Sequence, residues 1–390
     1  MTQPPSQDET ASPQAGGRLR RVLLRIALLA ASAAVGLALA EVAVRIAGLH
    51  VPPRGDIGMQ GLVRDVPADV AQGVEFLLIP DQTRTASYPG APGQPPRVVT
   101  YGINSLGFRG GPAEQKKADG VFRIVILGDS FTYGTGVDQG ETWPVYLEQR
   151  LAELAPGRPV EVLNWGVPAY NSRQQVGLLN FRGQAFEPDL VVLCAYINDA
   201  SGEARGDGAP GGSKELPWEV RWVQRLGLTS GRWAPEAPKT PAQERTMWLR
   251  ERSRLADLVA WKLNGWLMGR VAGRNYVEDW SEGSAGLAMV KSSLAAAAVL
   301  ARRDGFALVA TMYPDLTGLG GDYAFAGEHA TFASICDELR IPFHDLLPAL
   351  DGEDPAALRV HAHDKHPNAR ANRLVADRLA EALQPLVQGE

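Results

Sequence analysis

The sequence predicts an α/β protein in which a three-layer α/β/α sandwich surrounds a mostly parallel five-stranded sheet, with an N-terminal transmembrane helix and a helical insertion. Three observations lead to this class. After residue 121, short apolar runs alternate with stretches of helical periodicity, as in parallel β-α-β units. An uncharged apolar run lies near the N-terminus, and a tryptophan-rich segment interrupts the alternation between residues 200 and 285.

The N-terminal segment divides into a polar tail and a candidate membrane span. Residues 1–21 are expected to form a disordered cytoplasmic tail, because most of them are polar or lack periodicity. The following stretch, Val22–Val44, has 23 residues, enough to cross a hydrocarbon core of about 30 Å. Arginines precede this stretch and few basic residues follow it. We therefore expect a single-pass signal anchor in the inner membrane, with the remainder of the chain outside the cytoplasm.

Two other interpretations of the apolar stretch stay open. Ala38-Leu39-Ala40 has the small-residue pattern of a signal-peptide cleavage site, in which case the segment is removed. A buried helix of a soluble domain is the third interpretation, although an Ala/Leu-rich helix without a polar face is unusual in that role.

The remaining elements follow in chain order. Residues 45–120 are expected to be a spacer and an edge segment, because residues 51–97 are rich in proline and glycine and only Val98–Gly111 looks more structured. Residues 121–390 are expected to form one domain. Its predicted strands are Phe122–Gly128, Val160–Asn164, Leu190–Ala195, Ala307–Met312 and Ile341–His344. Its predicted helices lie near residues 141–154, 172–185, 286–304, 325–339 and 368–387.

Residues 200–285 form the predicted insertion, with a helix expected around Glu244–Leu267. Seven of the nine tryptophans fall in it: Trp218, Trp222, Trp233, Trp248, Trp261, Trp266 and Trp280. The insertion is interpreted either as a helical unit that packs its own small core or as a cap that shapes a substrate groove.

Composition excludes several functional classes. Acidic residues number 44 against 39 basic ones, so the net charge of −5 argues against a chain-wide nucleic-acid-binding surface. The two cysteines, Cys194 and Cys336, support neither a disulfide scaffold nor a cysteine-based zinc site. We expect no nucleic-acid partner, no cofactor and no metal.

The strongest local signal is an apolar strand that ends in Gly128-Asp129-Ser130 and is soon followed by a helix. Glycine allows a sharp turn, and the serine is then presented at the carboxyl end of a parallel strand, where ligands bind in open α/β sheets. An ordinary turn serine is the alternative interpretation.

A serine nucleophile needs a base, and the segment just before the last predicted helix offers one. Residues 361–368 read His-Ala-His-Asp-Lys-His-Pro-Asn. A carboxylate near His366 would hold the tautomer of its ring and stabilise the imidazolium. The alternative interpretation of the three histidines is a metal cluster, although no second group of ligands is evident.

Acyl transfer also needs hydrogen-bond donors for the oxyanion. Asn198, after the third strand, carries a side-chain N–H, and the turn around Ala169, after the second strand, offers a backbone N–H. Taken singly, each is equally typical of a turn or a helix cap.

The order and placement of these four blocks resemble the SGNH (GDSL-type) hydrolase superfamily, over roughly residues 121–388 with the insertion excepted. The resemblance implies a flavodoxin-like sheet, with Ser130 as nucleophile and His366 as base. It also implies an oxyanion hole formed by the Ser130 N–H, a second-block N–H and the Asn198 side chain.

Two positions depart from that family pattern. The second-block glycine falls on Ala169 when Asn164 is aligned with the asparagine of the block, and Gly166 is the alternative donor. The usual Asp-x-x-His spacing places the carboxylate at His363, whereas Asp364 stands two residues before the base.

We predict that Asp364 orients His366, because a second imidazole supplies no negative charge. The short Asp-x-His spacing is expected to need a turn that brings the carboxylate back to Nδ1. In this spacing and in its N-terminal anchor the chain resembles the membrane-linked, alginate-acetyltransferase-like branch of the superfamily.

The expected function is an extracytoplasmic serine esterase that acts on acyl esters, in particular O-acyl groups of a glycan, with an acyl-enzyme intermediate. If a sugar hydroxyl replaces water in the second step, the same residues make an O-acyltransferase for a surface polysaccharide. A non-catalytic glycan-binding module of an envelope assembly is an alternative of another class. A lipid esterase, with the insertion as an apolar lid, is a further one.

Overall fold

The computed structural model describes residues 14–47, 62–66, 73–88, 96–201, 241–361 and 364–389. The strands in these residues are, in chain order, β1 (Val63–Asp65), β2 (Phe76–Leu78), β3 (Gln82–Tyr88), β4 (Arg97–Ile103), β5 (Phe122–Gly128), β6 (Val160–Gly166), β7 (Leu190–Ala195), β8 (Ala307–Met312), β9 (Phe343–Asp345), β10 (Arg359–His361) and β11 (Asp364–Pro367). The α-helices are α1 (Gln14–Ile46), α2 (Ser130–Tyr133), α3 (Trp143–Leu154), α4 (Ser172–Arg182), α5 (Pro241–Arg252), α6 (Arg254–Asp279), α7 (Ala285–Asp304), α8 (Ala326–Glu338), α9 (Pro355–Leu358) and α10 (Ala369–Gln388).

The central sheet has the order β6-β5-β7-β8-β9, and each neighbouring pair is parallel. β5 and β7 are buried at every position, because helices cover both faces of the sheet. α10 packs against α3, and α4 packs against α7. The predicted three-layer α/β/α sandwich is confirmed, and the strand order is that of flavodoxin-like sheets.

The predicted strand boundaries agree with the structure at β5, β7 and β8, and differ by two residues at the other two strands. β6 continues to Gly166 because it follows β5 to its last residue, Gly128. β9 begins at Phe343 rather than Ile341. The N–H of Ile341 donates to Cys336 O at 2.8 Å, closing the end of α8, and the following proline has no N–H for the ladder.

The segment expected to be a spacer contains two antiparallel strand pairs, β1–β2 and β3–β4. Leu62, Phe76 and Tyr88 are at most 2% exposed and belong to the core that the sheet also forms. This part of the chain is therefore built into the core of the domain rather than laid along its surface.

α1 contains a stretch, Arg20–Ile46, that is long and apolar enough to cross a membrane. α7 meets the same criteria of length and composition, but Val290 and Leu294 on it are fully buried against the domain. α7 is therefore a core helix, and α1 is the candidate span.

The described part of the insertion forms two helices, α5 and α6, which are separated at Ser253. The single helix predicted around Glu244–Leu267 is thus broken once and extends further at both ends. At the far end of α6, the Trp280 indole N–H donates to Ile197 O at 2.8 Å. Trp218, Trp222 and Trp233 lie outside the described residues.

Candidate active site

Ser130 is the first residue of α2 and follows the end of β5 after a single residue, Asp129. The Asp129 carboxylate accepts a hydrogen bond from Phe131 N at 2.9 Å and thereby caps the helix. The strand ends in glycine and the helix starts with a capping aspartate. This local sequence presents the serine hydroxyl at the carboxyl edge of the sheet.

Two glycines allow α2 to pack directly on the strands. A Cβ atom on Gly128 would lie 2.1 Å from Thr132 Oγ1. A Cβ atom on Gly166, at the end of β6, would lie 2.3 Å from Tyr133 N. Only glycine fits these positions without moving the helix that carries Ser130.

His366 and Asp364, the expected base and its carboxylate, lie together on β11. His366 Nε2 is 2.9 Å from Ser130 Oγ, and His366 Nδ1 is 2.6 Å from Asp364 Oδ1. The backbone N–H of His366 also donates to Asp364 Oδ1, at 2.9 Å. The expected backbone turn is absent, since Asp364–Pro367 is extended as β11, but the carboxylate does fold back onto the N–H two residues on. Residues i and i+2 of a strand share a face, so the Asp-x-His spacing brings the two side chains together in extended backbone.

Neighbouring residues exclude most water from the side chains of His366 and Asp364 and fix the orientation of the imidazole. The exposed fractions of the side chains are 15% for His366 and 22% for Asp364. The imidazole rests against Phe131, with ring centroids 5.2 Å apart. Burial raises the pKa of Asp364, but the charge of His366 and its hydrogen bonds outweigh burial and leave that pKa below its usual range. The carboxylate is therefore ionised at neutral pH.

Asn198 lies in the short 3-10 helix Ile197–Ala200 that follows β7. Its Nδ2 donates to Asp129 Oδ2 at 3.0 Å. A primary amide has two N–H donors, so one remains for another acceptor near Ser130. Burial raises the pKa of Asp129, against the lowering effect of the bonds from Phe131 N and Asn198. Asp129 thus links α2 to the Asn198 amide, a contact that was not identified from the sequence although the Gly-Asp-Ser run contains this residue.

Asp199, the next residue, fastens this 3-10 helix to the start of α4. Its carboxyl accepts from Ser172 Oγ at 2.9 Å and from Gln175 Nε2 at 3.1 Å. Burial and the nearby charge of Asp129 raise the pKa of Asp199 well above its usual range. Through these hydrogen bonds Asp199 holds the 3-10 helix that carries Asn198.

Ala169 sits in the turn after β6, where Tyr170 N donates to Val167 O at 3.1 Å. Its φ of 68° is left-handed, a conformation that costs a residue with a side chain roughly 1–2 kcal/mol and that glycine adopts freely. The resemblance placed a family glycine at this position, and the backbone conformation explains that preference. The alternative donor, Gly166 N–H, already donates to Asn164 Oδ1 at 3.0 Å.

Arg109, from the edge segment, supports the other end of α2 and was not identified from the sequence. It is 2% exposed and donates to Tyr133 O at 2.8 Å, to Gly134 O and to Val137 O at 2.5 Å. Its guanidinium also lies over the Tyr101 ring, 4.6 Å from the centroid. A cation suits the free carbonyls of a helix C-terminus. The only signal in the sequence is an arginine between Phe108 and two glycines.

Lys365 projects from the opposite face of β11 and holds this strand at the sheet edge. Its Nζ is 3.6 Å from Asp315 Oδ2 and 4.7 Å from the centroid of the Tyr196 ring. Burial raises the pKa of Asp315, but Lys365 and further hydrogen bonds lower it below its usual range. The same Lys365 Nζ lies 5.3 Å from the centroid of the Tyr276 ring, which belongs to α6.

The structure brings Ser130, His366 and Asp364 into one chain of hydrogen bonds and links Asn198 to it through Asp129. Ala169 lies in the turn after the neighbouring strand, β6. His363 lies outside the described residues. Such an arrangement can move a proton from a hydroxyl to an imidazole beside an ionised carboxylate, and it offers N–H donors at the same edge.

Several known proteins resemble the chain in fold. An acetylxylan esterase, Axe2, from Geobacillus stearothermophilus is 14% identical, with a TM-score of 0.39 over 66% of this chain and 92% of its own. TesA is 16% identical, with a TM-score of 0.40 over 68% of this chain and 99% of its own. The psychrotrophic esterase EstA from Pseudoalteromonas sp. is 13% identical, with a TM-score of 0.37 over 68% and 98%. A comparison with curated protein sequences finds no match.

The family comparison covers the greater part of the chain. The model of the GDSL-like lipase/acylhydrolase family matches residues 126–374, which include the last three residues of β5, all later strands of the sheet, and both strands of the β10–β11 hairpin. The chain therefore belongs to the GDSL-like lipase/acylhydrolase family and is an ester hydrolase.

Proposed function

We propose that this protein is an extracytoplasmic serine esterase that hydrolyses O-acyl groups of a glycan, with Ser130 as nucleophile, His366 as base and Asp364 as the orienting carboxylate. The observation that carries the proposal is the unbroken series of hydrogen bonds from Ser130 Oγ through both imidazole nitrogens to Asp364 Oδ1. A non-catalytic binding module has no need for such a series.

In the first half-reaction, Ser130 Oγ attacks the acyl carbonyl carbon while His366 Nε2 takes the hydroxyl proton. The imidazolium is stabilised by Asp364, which remains ionised. The carbonyl oxygen becomes an oxyanion that accepts hydrogen bonds from the N–H groups of Ser130 and Ala169 and from Asn198 Nδ2. His366 then gives its proton to the alcohol oxygen of the leaving sugar, and the acyl-enzyme remains.

In the second half-reaction, water attacks the acyl-enzyme and His366 Nε2 takes a proton from it. Collapse of the intermediate releases the carboxylic acid and returns the proton to Ser130 Oγ. If a sugar hydroxyl attacks in place of water, the same steps give an acylated sugar. The products therefore distinguish an esterase from an O-acyltransferase.

The proposed location follows from α1. Residues 1–21, of which Gln14 to Arg21 already belong to α1, lie in the cytoplasm, and residues 22–44 form the anchor. The catalytic domain at 121–390 lies outside, together with the strand pairs of the 45–120 segment that pack into its core. The apolar stretch behind Arg20, Arg21 and Arg25 supports this orientation. Alkaline phosphatase fused after residue 60 should be active, and β-galactosidase fused there should not. The opposite result would reverse the orientation.

The glycan substrate rests on the resemblance to the alginate-acetyltransferase-like branch together with the proposed location, because envelope polysaccharides are acyl-ester carriers on that side of the membrane. A chromogenic acetyl ester measures the ester chemistry, and an acetylated oligosaccharide measures the substrate class. Mass spectrometry of the products, with and without an acceptor oligosaccharide, separates released acetate from acetate transferred to sugar.

The nucleophile is tested separately with a fluorophosphonate probe on the full-length protein in detergent. The expected result is one adduct, on the peptide that contains Ser130, and its loss in Ser130→Ala. Ser201→Ala is the control, since this serine lies outside the hydrogen-bond series described above. An adduct on another serine, or none, together with undiminished turnover by Ser130→Ala, would contradict the proposal.

A further inference from the structure

The corner between α5 and α6 is held against the C-terminal end of α1. The Glu41 carboxylate accepts three hydrogen bonds from this corner, from Leu255 N at 2.9 Å, Arg254 N at 3.1 Å and Ser253 Oγ at 2.9 Å. Arg45 donates to Arg252 O at 3.0 Å. Glu41 thus satisfies N–H groups in the first turn of α6, which have no partner within their own helix. The position of the corner is therefore tied to the end of the candidate span.

Most of α1 makes no such contact. Its side chains are exposed from Arg20 to Leu39, whereas Val44 in the last turns is 9% exposed. The domain therefore covers only the C-terminal turns and leaves the apolar stretch bare. If that stretch lies in hydrocarbon, the corner lies where the helix leaves it.

Three large apolar side chains near this corner are exposed. The exposed fractions are 56% for Trp248, 49% for Leu249 and 56% for Val259. At a rise of about 1.5 Å per residue, Trp248 is roughly 6 Å along α5 from Arg252 at the corner, and Val259 is roughly 9 Å along α6 from Ser253. We call these three side chains the corner patch. All of it lies within about two helical turns of the contact with α1.

The charges around the corner patch suit a lipid surface. Arg245, Arg252 and Arg254 are exposed, and residues 241–262 hold five basic and three acidic residues. The Arg252 guanidinium lies over the Trp248 ring, 4.5 Å from the centroid. Tryptophan prefers the boundary between hydrocarbon and water, and arginine keeps its charge at the level of lipid phosphates.

We propose that the corner patch is a second membrane contact, in which Trp248, Leu249 and Val259 insert into the headgroup region of the bilayer that α1 crosses. This inference rests on the proposed anchor. The partner is the lipid surface, because the patch continues directly from the exposed apolar surface of α1. The other end of α6 is in the domain, where Trp280 is 4% exposed, so only the first turns of α6 take part.

The test uses a matched pair of valines on one helix. Val259 and Val277 are 56% and 51% exposed. They are 18 residues apart, which is five full turns, so they share a helix face and lie about 27 Å from each other. Val259→Cys and Val277→Cys are labelled with an environment-sensitive fluorophore in the full-length protein. Cys194 and Cys336 are buried and do not compete in the folded state.

Labelled protein is reconstituted in nanodiscs of phosphatidylcholine and phosphatidylglycerol, with or without a quencher on the upper acyl chain. Leu29→Cys, in α1 and 70% exposed, reports on the span itself. We expect quenching at least threefold stronger at residue 259 than at residue 277, and quenching at residue 29. Quenching at 29 but not at 259 would overturn the corner contact and leave the anchor intact.

The remaining outcomes also decide the question. Quenching at 259 without quenching at 29 supports the corner patch and contradicts the anchor. Equal quenching at 259 and 277 would overturn the proposed patch, because the whole helix would then lie along the lipid. Quenching at none of the three positions would overturn both proposals.

Discussion

Replacing the carboxylate of Asp364 by an amide tests the proposed mechanism most directly. In Asp364→Asn, the amide oxygen can still accept from His366 N, which Asp364 Oδ1 does at 2.9 Å, so β11 should keep its conformation. The substitution removes the negative charge of the carboxylate, whose Oδ1 lies 2.6 Å from His366 Nδ1 in the parent protein. The substitution therefore separates charge from local structure.

The size of the effect follows from the geometry. Unit charges about 4 Å apart interact by about 4 kcal/mol at an effective dielectric constant of about 20. Each 1.36 kcal/mol in the barrier changes the rate about tenfold, so kcat should fall about 10³-fold from the charge alone. Loss of the correct tautomer adds to this, with a ceiling of about 10⁴.

The assay is hydrolysis of a chromogenic acetyl ester, with thermal unfolding of each variant measured alongside. The chain offers a matched control in a second aspartate–histidine pair, because His329 Nδ1 is 2.9 Å from Asp345 Oδ1 at the end of β9. Asp345→Asn removes the same kind of bond away from Ser130 and should leave kcat within about threefold. His363→Ala should also have a much smaller effect than Asp364→Asn. A kcat for Asp364→Asn within tenfold of the parent, or equal losses in both aspartate variants, would refute the reasoning.

Three further substitutions have defined outcomes. Asn198→Ala should lower kcat in the same assay by about 10²–10³, since it removes an oxyanion donor, and full activity would exclude that role. Ala169→Gly keeps the backbone N–H, so kcat should not change. Because glycine adopts the left-handed φ of 68° without strain, calorimetry should show a free energy of unfolding raised by up to about 1 kcal/mol. An unchanged or lower melting temperature would contradict this expectation. The pKa of the Asp199 carboxyl is higher in the folded protein than in the unfolded chain. At a pH above the unfolded-state pKa, the native protein therefore keeps a proton that the unfolded chain has lost, and stability falls as pH rises. Asp199→Asn should flatten that fall between about pH 4 and neutrality in denaturant titrations, and a slope equal to the parent's would exclude Asp199 as its source.

The strands of the parallel sheet could be predicted because each is marked by a pattern of neighbouring residues in the sequence. β5 and β7 are buried on both faces; β7 is an unbroken apolar run, and β5 is one from Ile124 to Leu127. The two strand pairs before the sheet could not, because β1 and β2 have only three residues each and β3 contains no apolar run. The buried Tyr88 hydroxyl lies 2.7 Å from the Tyr101 hydroxyl, a contact between β3 and β4 that no local pattern encodes.

The proposed site shows the same division. Ser130 and Asn198 stand at strand ends that can be located from sequence, so their approach at one edge follows from parallel topology. The strand geometry of Asp364 and His366 could not be anticipated, because three of the four β11 residues are polar or charged and the strand exists through its pairing with β10. Arg109 acts on carbonyl groups 24 to 28 residues further along the chain, so only the folded structure reveals it.

α6 joins the two functional regions of the molecule as a single helix. One end is fixed by Glu41, and the other end leads into Trp280, whose indole N–H donates to Ile197 O beside Asn198. Its 26 residues measure about 39 Å along the axis. With α1 in the bilayer, this length sets the scale of the distance between the point where α1 leaves the membrane and the sheet edge that carries Asn198. The enzyme would then reach only substrates that lie within a thin layer next to its own membrane. The distance of an ester from the lipid surface would therefore contribute to specificity, in addition to the shape of any binding pocket.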